Sequence, residues 1–288
     1  MNYRDTIRAG EDRLSSAGIT EAALDARLLL EFITGHDRNT LLVYPDTPVS
    51  EEDAARYDEL IEKRSKHIPL QQLTGSCEFM GIEFFVNDKV LIPRQDSECL
   101  VEEAMRYVAD GSDILDLCTG SGCLLLSLMH YKNSCRGVGV DISADAISVA
   151  SSNRDRLEET GGLNGGSAEF IIGDLFDPVA GRKFDVIISN PPYIRSRDIE
   201  ELMPEVRDYE PHLALDGGQD GLSFYRRIAA LAPDHLVRGG RIFLEIGYDQ
   251  ADDVSRILAD AGFSDISVVK DLGGNNRVVL ARYAPRSV

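Results

Sequence analysis

Apolar positions in the first quarter of the chain recur with helical spacing. Thr20 is placed to cap a helix whose Leu24, Leu28, Leu29 and Phe32 share a face and whose stop is Gly35. Ser50-Glu51-Glu52-Asp53 has the form of a capping box. It opens a helix carrying Ala54, Tyr57 and Leu60-Ile61 on one side and ending before Pro69. A weaker periodic stretch surrounds Ile7 and Leu14. These patterns predict a small helical bundle over residues 1–75. The texture then changes. Glu78-Phe79-Met80-Gly81-Ile82-Glu83-Phe84-Phe85-Val86 sets β-formers around a turn glycine and predicts a β-hairpin linker over 76–93. From 94 to 288 strands alternate with helices. Strands are expected at 113–117, 137–141, 169–172, 184–189, 241–246, 264–270 and 277–283, with helical spacing at Leu100-Val101-Ala104-Val108 and Leu222-Tyr225-Ile228-Ala229. Such alternation makes an α/β domain with a parallel sheet covered by helices on both faces. Only 271–276 separates the last two strands, too few residues for a crossover helix, so they form an antiparallel hairpin at the sheet edge.

Composition narrows the class. The 288 residues are 43% hydrophobic and 27% charged, which suits one large or two smaller soluble domains. The polar opening Met1-Asn2-Tyr3-Arg4-Asp5-Thr6 does not resemble a secretory signal, and the densest apolar run, 123–129, is too short to span a bilayer. A soluble, cytoplasmic protein without a membrane partner is expected. The net charge of −19 opposes a polyanion, so direct nucleic-acid binding is not expected; the charge is read as keeping the surface soluble, with at most a modest contribution to docking a basic protein partner. The cysteines, Cys77, Cys99, Cys118, Cys123 and Cys135, form no C-x-x-C pair and have no histidine at ligand spacing. Reduced thiols and no metal are the expectation.

The chemistry collects at predicted strand ends. Asp113-Ile114-Leu115-Asp116-Leu117-Cys118-Thr119-Gly120-Ser121-Gly122 is a strand running into a Gly-rich turn that opens a helix, where the backbone can pass close under a ligand. Asp141 ends the next strand, where a carboxylate can accept from both hydroxyls of a ribose. Nicotinamide enzymes share this layout, but Leu125 stands where their third glycine would fall. No pyrophosphate need then be accommodated, which fits S-adenosylmethionine better. Ser189-Asn190-Pro191-Pro192-Tyr193 follows another apolar strand. The prolines have fixed φ and hold Asn190 and Pro191 extended, making a stiff loop. A planar NH2 nitrogen conjugated to a carbonyl or a ring is a poor nucleophile. The Asn190 side-chain oxygen and the Pro191 carbonyl could each accept one of its N–H bonds, aim its lone pair and disfavour planarity. Tyr193 is placed to pack on the substrate plane. An amide of a protein and an amino group of a base both meet this description. An enzyme acting on adenine N6 or guanine N2 of DNA or RNA is therefore the alternative, opposed by the charge and by the lack of a basic, aromatic-interleaved segment. A nicotinamide oxidoreductase leaves Asn190 to Tyr193 unexplained.

With these residues in place, nearly the whole chain resembles the release-factor glutamine N5-methyltransferases. The resemblance is carried by Leu91-Ile92-Pro93-Arg94, the turn through Gly122, Val140-Asp141, Gly173-Asp174-Leu175-Phe176 and Asn190 to Tyr193. Ala214-Leu215-Asp216-Gly217-Gly218-Gln219-Asp220-Gly221-Leu222, Tyr225-Arg226 and Asn276-Arg277-Val278-Val279 extend it. It implies a Rossmann-like class I methyltransferase sheet of seven strands and an N-terminal substrate-recognition domain. It also implies S-adenosylmethionine held at Cys118, Thr119, Gly120, Ser121, Gly122, Asp141, Asp174, Leu175 and Asn190. Substrate glutamine, from the Gly-Gly-Gln motif of class 1 peptide chain release factors, would be held at Asn190, Pro191, Pro192 and Tyr193, with Phe79 and Arg94 bringing the hairpin beside the pocket. Gly217-Gly218-Gln219 only looks like the substrate motif. Two positions depart from the pattern: Cys118 stands where glycine is more usual, and Gln95 where proline is common. Cys118 is similar to the sister enzymes that methylate a glutamine of ribosomal protein L3, while the N-terminal bundle, Asp96-Ser97-Glu98 and Arg277-Val278-Val279 favour release factors. Cys118 is expected at negative φ.

Overall fold

The computed structural model describes residues 1–284 in two compact units, one of residues 1–76 with 203–209, the other of 77–202 with 210 onward. The last four residues of the domain expected to run to 288 lie outside the described ones.

The first unit holds α1 (Tyr3–Ser16), α2 (Ala22–Thr34), α3 (Arg38–Val43), α4 (Glu51–Arg64) and α5 (Leu70–Thr74). Side chains cap α1, α3 and α4: Asn2, Asp37 and Ser50 accept from the amides of Asp5, Thr40 and Asp53 at 2.8, 2.8 and 3.0 Å. Thr20 caps nothing; α2 starts after Glu21 without a side-chain cap and ends at left-handed Gly35. Its buried side is also rotated from the expected one, for Leu24 and Phe32 are exposed while Ala26, Leu29, Leu30 and Ile33 are buried. The buried stripe Ala22, Asp25, Ala26, Leu29, Leu30 and Ile33 has regular helical spacing opposite Arg27 and Glu31, but a charged residue, Asp25, lies within it. A buried ion pair orients it, Arg64 Nε donating to Asp25 Oδ2 at 2.7 Å. Tyr57 donates to the Ala26 carbonyl at 3.0 Å and crosses so near α1 that a Cβ on Gly10 would lie 2.1 Å from its hydroxyl.

The second unit begins with the hairpin β1 (Ser76–Phe79) and β2 (Ile82–Phe85). This hairpin packs into the unit: Phe79 and Phe84 are buried with Leu100, Leu124 and Leu128, and Asn153 exchanges hydrogen bonds with both backbone groups of Phe85. The main sheet holds β3 (Asp113–Leu117), β4 (Arg136–Asp141), β5 (Ser167–Ile172), β6 (Phe184–Ser189), β7 (Leu236–Glu245), β8 (Phe263–Lys270) and β9 (Asn276–Tyr283). Their order is β5-β4-β3-β6-β7-β9-β8, with the β3, β4, β5, β6 and β7 pairings parallel and β9 antiparallel to both its neighbours. This is the Rossmann-like sheet with its antiparallel edge. β7 starts five residues before the expected 241; Gly239 and Gly240, poor strand formers, sit within it beside an irregularity in its pairing with β6.

The helices are α6 (Glu98–Met105), α7 (Cys123–Tyr131), α8 (Ala144–Glu159), the one-turn α9 (Pro204–Arg207), α10 (Ser223–His235) and α11 (Ala251–Asp260). Strand alternation feeds two cores: Leu115 and Leu117 of β3 pack with α10 and α11, and Ile114 packs with α6 and α7. The chain runs outward from β3 to β5, then returns to lay β6 on the other side of β3. That reversal opens a crevice at the carboxyl ends of β3 and β6, the place where such sheets bind ligands. Only α9 and its flanks fold elsewhere. Residues Met203–Tyr209 belong to the first unit, where Glu205 pairs with Arg64 at 3.3 Å and His67 at 3.1 Å. Gln72 donates to the Tyr209 carbonyl at 2.8 Å, and Tyr209 donates to that of Lys66 at 2.6 Å.

Candidate active site

A cavity opens in the crevice. Cys118, Thr119, Gly120 and Ser121 from the turn after β3 line it, with Asp141 from β4, Asp174 and Leu175 from beyond β5, and Asn190 and Pro192 from beyond β6. Gly122 closes the turn as the left-handed residue before α7, where a Cβ would meet Phe170 at 2.9 Å and Ala150 at 3.2 Å. Cys118 does not take the expected negative φ; it lies at +57°, and Leu175 at +49°. Both are left-handed residues with a Cβ, a strained conformation that clusters at functional sites. The chain must turn sharply out of β3 under the cavity, and Cys118 makes the turn that glycine would make without strain.

The turn is tied down by carboxylates. Thr119 Oγ1 donates to Asp116 Oδ2 at 2.5 Å, while Asp116 Oδ1 meets no donor although the residue is wholly buried. Burial pushes the Asp116 carboxyl up to about 7, against the Thr119 hydrogen bond. Asp141 Oδ2 accepts from the Gly120 amide and Oδ1 from that of Ser143, each at 2.9 Å. Each oxygen keeps a further lone pair for a ligand hydroxyl. Burial raises the Asp141 carboxyl above its ordinary range although those amides hold it down.

The loop after β6 is braced from behind. Ile194 bridges Asp216, and the Gly217 amide donates to the Ile194 carbonyl at 2.8 Å. A Cβ on Gly217 would lie 2.7 Å from Tyr193 Cα and 2.8 Å from the Pro192 carbonyl. Gly217 is therefore a close-packed backbone support for the Asn-Pro-Pro-Tyr loop, and the Gly218 carbonyl accepts from the Ser196 amide at 3.1 Å. Gln250 adds a donor to the Tyr193 carbonyl at 3.0 Å.

Some expected residues stand away from the cavity wall. Phe79 is buried against Phe84, their rings 6.3 Å apart and edge to face. Pro191, Tyr193 and Gly122 do not line the cavity either. The Tyr193 ring packs against the α10 and α11 core and its hydroxyl faces Glu245 and Arg277; burial pushes it up to about 12. Arg94 does line the cavity, its Nη2 donating to both oxygens of buried Glu210 at 2.6 and 2.8 Å. Sequence reading missed Glu210 and the wall formed by Pro211, Leu213, Ala214 and Phe224. Glu210 is 116 positions from Arg94, and no local pattern joins them.

Residues 5–75 match the family described as PrmC N-terminal domain, and residues 95–206 match Methyltransferase small domain. A release factor glutamine methyltransferase of Geobacter sulfurreducens is 41% identical over 269 residues, covering 93% of this chain and 92% of that one. One from Agrobacterium fabrum is 41% identical over 282 residues, covering 95% of each chain. The chain belongs to the release factor glutamine methyltransferase family. The crystal structure of a methyltransferase from Pyrococcus furiosus shares the fold of this methyltransferase, with a TM-score of 0.54 at 18% identity over 71% of this chain and 90% of that one. Among the described residues of the enzyme no helix is long and apolar enough to cross a membrane.

Proposed function

We propose that the enzyme methylates the side-chain amide nitrogen of the glutamine in the Gly-Gly-Gln motif of class 1 peptide chain release factors, in the cytoplasm. S-adenosylmethionine is its cofactor and supplies an electrophilic methyl group on a sulfonium. The cavity residues fit such a group. Asp141 has free lone pairs for a ribose diol, Leu175, Val140 and Phe224 give apolar walls, and the nearby carboxylates suit a cation. Arg94 and Arg227 also line the cavity, but Glu210 and Asp174 hold them at 2.6 Å each.

The observation that carries the reading is that Asn190 and Asp141, from strands on opposite sides of β3, line one cavity. Asp141 anchors the donor's ribose. Asn190, which lines the cavity, accepts an N–H of the substrate amide through its side-chain oxygen. That bond strengthens as the nitrogen loses conjugation and becomes positive, so it acts in the transition state more than in the ground state. The methylated nitrogen then passes a proton to water, which leaves a neutral secondary amide. We assign protein-substrate recognition to the first unit, where Leu42, Val43 and Tyr44 are exposed by 62, 65 and 61% in succession.

The test is methyl transfer from labelled cofactor to purified release factors, ribosomal protein L3 and nucleic acids side by side. The expected product is one methyl group on the release-factor glutamine. Asn190→Ala should lower turnover by about 10²–10³-fold with cofactor affinity nearly unchanged. Label on nucleic acid and never on the peptide glutamine would overturn the reading.

A further inference from the structure

Glu245 is a buried carboxylate for which the fold has no evident use. It ends β7, one place beyond the Ser189–Leu244 pair that closes the β6–β7 register, so it stands beside Asn190 where the loop leaves β6. Alternation sends Leu244 into the core under α10 and α11 and Glu245 with Phe243 to the opposite face. There it is 2% exposed, its Oε2 has no hydrogen-bond partner, and the Ser97 and Asn190 side chains face it. Arg277 also faces it but does not require it, because Asp271 and Asp96 already hold that guanidinium at 3.0 and 3.1 Å.

An asparagine amide has a donor end and an acceptor end of almost equal size, and only its surroundings decide which points where. An ionised carboxylate only accepts. While Glu245 is ionised, the favoured orientation of the Asn190 amide has its NH2 toward Glu245, which leaves Oδ1 for the cavity that Asn190 lines. Reversed, Asn190 would present a donor to the N–H bonds of the reacting amide. We infer that Glu245 is a positioning residue that holds the Asn190 amide with its oxygen toward the reacting nitrogen, an inference that rests on the function proposed above.

Protonation should undo this, because a carboxylic acid can donate to Asn190 Oδ1 and invite the reversed amide. Burial pushes Glu245 up to about 7, against the Ser97 hydrogen bond and the Arg277 charge and helped by Asp96. Cys99, Cys123, Tyr193 and Tyr225 also face it; burial pushes each upward, so all four are neutral near pH 7.

Glu245→Gln keeps the shape but offers Asn190 either end. Its kcat on a release factor should fall roughly 10-fold, the scale on which a residue orienting another acts. KM for the release factor and calorimetric cofactor affinity should stay at wild-type values. In the Asn190→Ala background the same change should cost no further rate, since the group it orients is gone. As a check on the unaltered enzyme, the Asn190 side-chain 15NH2 signals, assigned by their loss in Asn190→Ala, should shift as pH crosses about 7. A wild-type kcat in Glu245→Gln, losses that multiply in the double variant, or Asn190 signals indifferent to pH would overturn the inference. The wild-type rate on the release factor tests the function itself, and the ratios of variant to wild type test Glu245.

Discussion

Gly217 offers a way to move the catalytic loop without touching it. In Gly217→Ala the new methyl group starts 2.7 Å from Tyr193 Cα and 2.8 Å from the Pro192 carbonyl, both backbone atoms with no rotamer to change. Ordinary contact begins at 3.4 Å, so the Pro192–Tyr193 backbone must retreat by about 0.7 Å or the supporting loop must do so. Overpacking of this kind costs about 1–3 kcal/mol of stability. The larger effect should be kinetic, because a misplacement near 1 Å can cost about 10²-fold where reacting atoms must align. A fall in kcat of about 10- to 100-fold is expected, or about 1.4–2.7 kcal/mol of activation free energy. The assay is initial-rate methyl transfer to a purified release factor at saturating cofactor, with calorimetric cofactor binding as the control for the β3 and β4 side. Gly218→Ala is the comparison. Its left-handed φ of +89° strains any side chain, but its Cβ meets only the Ser223 side chain, at 3.0 Å. It should lose about 1 kcal/mol of stability and little kcat. The reasoning is refuted if Gly217→Ala turns over like wild type, or if Gly218→Ala is slowed as much.

Other expected outcomes follow from the strain and the buried charges. Because Cys118 lies at φ +57°, Cys118→Gly should be more stable than Cys118→Ala by about 1 kcal/mol in urea denaturation, since both lose the sulfur and only glycine loses the strain. Asp116 titrates at about 7 when folded against 3.8 ordinarily, so the folded chain binds the extra proton between those values. Its contribution to stability is present at low pH and lost as pH rises through about 7. Asp116→Asn should therefore gain on wild type as denaturation midpoints are compared from about pH 5 to about pH 8. Arg64→Ala should cost about 3 kcal/mol, because it strands buried Asp25 and removes a partner of Glu205; protease cleavage within 203–209 should rise with it.

Strand content was legible because β3 and β6 are short runs in which Ile, Leu and Val make up half or more of the residues, and β4 alternates Gly with Val before Asp141. The motifs at their ends were legible for the same reason: the turn after β3, Asp141 and Asn190 each follow such a run directly. What was not legible is whatever the tertiary structure chooses among locally equal options. The buried stripe of α2 runs through Asp25, which reads as a surface residue until Arg64, 39 positions away, pairs with it. Phe79 sits in a strand that reads the same whether it faces a ligand or, as it does, Phe84. Cys118 follows a strand like any other residue, and only the closed turn shows the φ that position demands. α3 and α5, at six and five residues, are too short for periodicity to register.

The placement of residues 203–209 bears on how this chain can be cut, exchanged and inherited. Helix α9 and its flanks are encoded between the Asn-Pro-Pro-Tyr loop and the Glu210 wall, yet they belong to the first unit and are tied to it by polar contacts of Glu205 and Tyr209. A polypeptide beginning at Cys77 would carry Glu205 and Tyr209 without Arg64, His67, Lys66 or Gln72. One ending at Ser76 would lack its own last helix. The first unit is thus not a detachable module with a single junction. Grafting it onto another methyltransferase means transplanting two segments together, and changes in one segment constrain which changes the other tolerates.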